Sequence, residues 1–103
     1  MEGIMAKYKV SIDKNLKNAV PGYLEARRKE IPDLFIFYAT EDRESLTAAA
    51  HNLAGSGHSY GLDRLSELGK RLEALSKAGD AAGASKCLAE LKDYVWNLEV
   101  VYE

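Results

Sequence analysis

Apolar residues recur along most of this chain at alternating spacings of three and four. Leu46, Ala49, Leu53, Ser56 and Tyr60 do so through its middle. At about 100° of turn per residue they share one side of a helix, the side that faces a bundle. Leu62, Leu65, Leu68, Leu72 and Leu75 form a second stripe and predict a helix over 62–78. Ala84, Leu88, Leu91, Val95, Leu98 and Tyr102 continue the period and predict a last helix running close to the C-terminus, so nothing in the second half reads as a strand. Upstream, Leu24, Arg27 or Arg28, Ile31, Phe35 and Tyr38 predict a helix opening at Pro21, where the missing N–H does no harm. Pro32 falls inside that pattern and predicts a kink or brief break over 28–31, with helix resuming to about Ala39.

The punctuation between stripes supplies the boundaries. Asp42 is the expected cap of the central helix, which should run to about Ser59, and Asp80 the expected cap of the last. Gly61 and Gly79 are natural left-handed terminators. Ser11 or Asp13 caps a short helix over 14–20. Before it, residues 1–12 lack a helical period; Tyr8 to Ile12 alternate weakly, which predicts a mobile start and an extended lead-in. The expected fold is all-α: one domain over 13–103, an antiparallel up-down four-helix bundle with a short extra N-terminal helix.

Composition narrows the function classes. A chain of 103 residues holds one domain, and 47% hydrophobic content excludes a disordered one. With a net charge of −2 and no basic block, neither nucleic acid nor an anionic membrane is an expected partner. The longest apolar run, Leu34 to Ala39, is too short for a membrane span, and the N-terminus lacks the apolar stretch of a signal peptide, so a cytoplasmic protein is expected. The single cysteine, Cys87, falls at a helix-seam position and is expected to fill core.

The candidate chemistry centres on His51. Thr47, Ala48, Ala54, Gly55 and His58 share its face, nearly all small, so the imidazole stands in a clearing where a solvated helix would carry Glu, Lys or Arg. Gly55 costs roughly 1 kcal/mol against Ala in a helix, which suggests that something must approach closely there. Spacing alone divides evenly between a functional imidazole and a surface histidine beside a fraying helix end. His58 would lie about two turns along, roughly 10 Å away, so the two histidines do not suit one metal ion, and no metal site is expected. No phosphate loop, nucleophile elbow or nucleotide motif is present, which speaks against a self-contained kinase or hydrolase.

The run His51-x-Leu53-x-Gly55-Ser56, with Gly61 and Leu72-Glu73 in register, resembles the histidine-containing phosphotransfer (HPt) domain family, whose pattern reads H-x-L-K-G-S, then G, then L-E. The resemblance spans roughly Ile12 to the end. It implies a free-standing, non-enzymatic phosphocarrier that relays a phosphoryl group between receiver-domain aspartates, with His51 as the phosphoacceptor. Glu73 would orient the imidazole; the alternative for it is a solvated helix glutamate. Gly55 would leave room for the phosphoryl oxygens, His58 would stand on the docking rim, and Ser56 and Gly61 would be structural. The implied partners are receiver domains of response regulators or hybrid histidine kinases. The chain itself would bind no cofactor, act as a monomer and rely on a divalent metal held by the receiver.

One position departs from the pattern: Ala54 stands where the family commonly has lysine. Lys70 and Lys77, each one turn from Glu73, are the candidate replacement cations. The same departure keeps open a second function, a module that docks receivers or kinases without carrying phosphate.

Overall fold

In the computed structural model, which describes residues 7–103, four helices carry the apolar stripes: α1 (Val20–Ala39), α2 (Arg43–Ser56), α3 (Asp63–Ala78) and α4 (Ala81–Trp96). Each helix packs on the next, and α1 closes onto α4. Leu46, Ala50 and Leu53 of α2, Leu65, Leu68 and Leu72 of α3, and Leu88, Leu91 and Val95 of α4 form the buried centre with Leu24, Ile31 and Leu34 of α1. Cys87 is buried among them, its Sγ donating to the Leu68 carbonyl at 3.4 Å, and burial pushes its thiol pKa up. No helix among the described residues is long and apolar enough to cross a membrane.

The expected boundaries appear where local chemistry dictates them. The Asp42 side chain accepts from the Ser45 N–H and that of Asp80 from the Gly83 N–H, so both helices start on a capped orphan donor. Gly61 and Gly79 turn the chain at φ +79° and +71°, backbone that a Cβ disfavours. The α2 helix stops at Ser56 rather than Ser59, and His58–Tyr60 forms a separate 3-10 turn.

Three expectations need correction. First, the fold is not purely helical: β1 (Tyr8–Ile12) and β2 (Leu98–Tyr102) form a two-stranded parallel sheet in the register Tyr8↔Leu98 to Ile12↔Tyr102. Leu98 and Tyr102 keep the spacing of α4 but lie beyond it: Asn97 caps the helix at φ −120° with its side chain bonded to the Asp93 carbonyl and carboxylate, and the chain runs on extended. Second, the extra N-terminal helix shrinks to one 3-10 turn, Lys14–Leu16, capped by Asp13. Third, α1 runs unbroken through Pro32. That proline is exposed, while Ile31 and Leu34 on either side of it stay anchored in the core, so packing of the buried face holds the helix together where the proline removes a hydrogen bond. The extended lead-in is β1; the mobile start expected at residues 1–6 lies outside the described residues.

Asp93 fastens the sheet to the bundle. It accepts from Lys7 Nζ at 2.8 Å and from the Tyr8 hydroxyl at 2.7 Å, and Tyr8 packs edge-on against Tyr94 at 5.2 Å. The Lys7 and Tyr8 hydrogen bonds hold the Asp93 carboxyl below its usual range. A depressed carboxylate stabilises the fold fully above its unfolded value, and that contribution is lost as the pH falls through the folded value. Acidification from neutrality to about pH 3 should therefore lower the denaturation midpoint of the native chain more than that of Asp93→Asn. Parallel losses in the two proteins would show that the clasp does not contribute.

Candidate functional site

His51 projects from the middle of α2 with its side chain 72% exposed, while Glu73, on the facing turn of α3, is only 18% exposed. His51 Nδ1 lies 3.0 Å from Glu73 Oε2, and Lys77 Nζ, one turn further along α3, lies 3.2 Å from the same oxygen. Partial burial works against the Glu73 charge, but the hydrogen bonds from Lys77 and His51 outweigh it and hold the carboxyl below its ordinary range. Glu73 is therefore a carboxylate at neutral pH and can only accept. Nδ1 must carry the proton, which leaves the Nε2 lone pair of a neutral ring free.

The pairing depends on how closely α2 and α3 approach. Gly69 of α3 is buried against α2 so tightly that a Cβ there would fall 2.6 Å from the Ala54 backbone nitrogen and 3.0 Å from the Ala50 carbonyl oxygen. Glu73 stands one turn beyond this contact, on the turn of α3 that meets His51. Ala54 is half-buried at the same crossing.

Two clefts flank the imidazole. On the α3 side, Arg43, Thr47, Ala48, Glu73 and Lys77 line one of about 580 Å³ with His51. On the α1 side, Arg27 and Glu30 line another of about 760 Å³ with His51, Asn52, Gly55, Ser59 and Tyr60. Gly55 is exposed on the second, and a Cβ added to it would meet nothing within 4 Å, so the clearing opens outward and not onto another part of this chain.

The structure does not gather every candidate. Ser56 turns inward and shares a 2.6 Å hydrogen bond with the Tyr23 hydroxyl, which joins α2 to α1. Gly61 ends the 3-10 turn, with Ile12 packed against its backbone. His58 is on that turn and not on α2; its Nδ1 lies 2.6 Å from Asp63 Oδ1, and it lines neither cleft beside His51. Lys70 is exposed, lines neither cleft and makes no ion pair among the described residues. Periodicity placed Arg27 only as one of two arginines on the α1 stripe and did not single out Glu30 or Arg43, which line the clefts beside His51. The available signal was a charged residue on the inward stripe of α1 between Leu24 and Ile31, a place where charge needs a partner.

A free imidazole nitrogen, a carboxylate fixing the opposite nitrogen and open space on either side make a nucleophile suited to accepting a group from another molecule. The family model described as the Hpt domain matches residues 12–100. No curated protein and no solved structure matches the chain.

Proposed function

Because this chain belongs to the Hpt domain family, we propose that it relays a phosphoryl group between receiver-domain aspartates in a two-component phosphorelay, with His51 as the carrier. The observation that carries the reading is the His51 Nδ1 to Glu73 hydrogen bond on a largely exposed side chain, which puts the lone pair of the neutral ring on Nε2. In the forward step Nε2 attacks the phosphorus of an aspartyl phosphate on the receiver. The N–P bond forms, the P–O bond to aspartate breaks, and its electron pair leaves on the aspartate carboxylate. The proton stays on Nδ1, and Glu73 faces the positive charge that develops on the ring. Transfer onward to a second receiver reverses these steps.

Positioning and charge stabilisation are what such a transfer asks of the carrier. The divalent metal belongs to the receiver, which contributes the remaining charge. The up-down antiparallel course of the helices is part of the same reading, because the connections 40–42 and 79–80 are too short to return the chain to the starting end.

Incubation with a phosphorylated receiver domain tests the proposal. The expected result is transfer of label to this chain as an acid-labile, base-stable phosphoramidate. Stable binding of the receiver with no label transferred would overturn the relay and leave a docking module.

A further inference from the structure

The guanidinium of Arg27 is held in an unusual state for a surface helix. Its side chain is only 20% exposed, its guanidinium carbon stands 4.6 Å over the Tyr23 ring, and that ring is stacked on Tyr60 at 4.0 Å. Glu30 takes one Nη2 donor, while Nε is buried with no hydrogen-bond partner among the described residues. Buried donors are nearly always satisfied, so an unpaired one beside a cleft calls for an acceptor. Arg27 is the one cation lining the cleft on the α1 side of His51 among the described residues.

The two ring nitrogens of an imidazole direct their outward bonds in nearly opposite directions. With Nδ1 turned to Glu73, a group on Nε2 points away from that carboxylate oxygen, which Lys77 also binds. Ala54 offers no cation of its own. Building on the relay role proposed above, we infer that Arg27 binds the phosphoryl oxygens of phosphorylated His51, supplying from α1 the positive charge that Ala54 lacks. Before phosphorylation Glu30 occupies one edge of the guanidinium. The phosphoryl group brings up to two negative charges and three acceptor oxygens, which match the guanidinium fork once the side chain turns its unpaired Nε out toward the cleft.

The test reads the ionisation of the phosphoryl group itself. The intact chain is phosphorylated with potassium phosphoramidate, and the phosphohistidine 31P resonance is followed through a pH titration. Loss of a cation beside the phosphate favours its protonated form, so Arg27→Gln should raise the pH of its second ionisation by about 0.5. Arg27→Lys, which keeps the charge without the fork, should shift it less. Lys29→Gln, an exposed cation of the same helix paired with Glu25, should leave it unchanged.

An Arg27→Gln titration that superimposes on the native one, or an equal shift from Lys29→Gln, overturns the inference. Should Arg27→Gln fail to fold, Glu30→Gln decides: it frees the guanidinium and should move the ionisation downward, and no movement overturns the inference. A native chain that forms no phosphohistidine at position 51 overturns both this inference and the relay. One that forms it but is insensitive to both substitutions overturns only the role of Arg27.

Discussion

Replacing His51 with glutamine should abolish label transfer from a phosphorylated receiver, while His58→Gln should keep most of it. Carboxylate pairing alone does not separate the two rings, since each has its Nδ1 on an acidic oxygen. The carboxylates differ. Asp63 is 68% exposed, so water competes for its oxygens and the pair is screened. Glu73 is 18% exposed and the oxygen it turns to His51 is also bound by Lys77, so it fixes both the tautomer and the direction of the His51 ring. His51 also has open clefts on both sides, into which a phosphoryl group and a partner can enter. Label retained by His51→Gln, or lost only in His58→Gln, would refute the assignment.

The same geometry grades the neighbouring substitutions. Glu73→Ala removes the acceptor but leaves the nucleophile, so transfer should slow on the order of tenfold without vanishing. Lys77→Ala acts at one further remove, through the orientation of Glu73, and its effect should be smaller and should fade as salt rises. Equal rates for the native chain and Glu73→Ala, measured with one receiver, would return Glu73 to the role of a solvated helix residue.

What could be read from the chain alone divides along physical lines. Helix positions, the Asp42 and Asp80 caps and the left-handed Gly61 and Gly79 are set by chemistry within a few residues, and they are legible for that reason. The His51–Glu73 contact is tertiary, and it is legible because the family resemblance puts Leu72-Glu73 in register with His51, at the edge of the leucine stripe of the next helix. The sheet is different. Its strands pair across the whole bundle, and Leu98 and Tyr102 satisfy the helical period and the strand alternation equally, so only the Asn97 stop signal separates the readings. Pro32 misleads because whether a proline breaks a helix depends on which face it occupies, a property of packing. Arg27 was one of two interchangeable arginines on a stripe. Its stacking on Tyr23 and its place beside His51 arise only when α1 and α2 meet.

Two glycines of the site helices should respond to alanine with opposite signs in stability. At Gly55 a Cβ meets nothing within 4 Å, so Gly55→Ala gains helix propensity, about 0.5–1 kcal/mol, with no packing cost. The melting temperature should rise by roughly 4 °C. At Gly69 the same propensity gain is set against a Cβ placed 2.6 Å from the Ala54 backbone nitrogen. Backbone cannot rotate away as a side chain can, so α2 and α3 must separate. Overpacking of this kind costs about 1–3 kcal/mol or more, which exceeds the propensity term. Gly69→Ala should therefore melt below the native chain, by about 10 °C if the net loss is about 2 kcal/mol. The separation also draws Glu73 away from His51, so transfer should slow in Gly69→Ala even well below its melting temperature. A second change isolates that link: if Gly69→Ala acts through the lost Glu73 contact, adding Glu73→Ala should slow it little further. Transfer in Gly69→Ala at the native rate, or full additivity of the two substitutions, would show that the close approach of α2 and α3 supports stability alone and does not set the geometry of the imidazole.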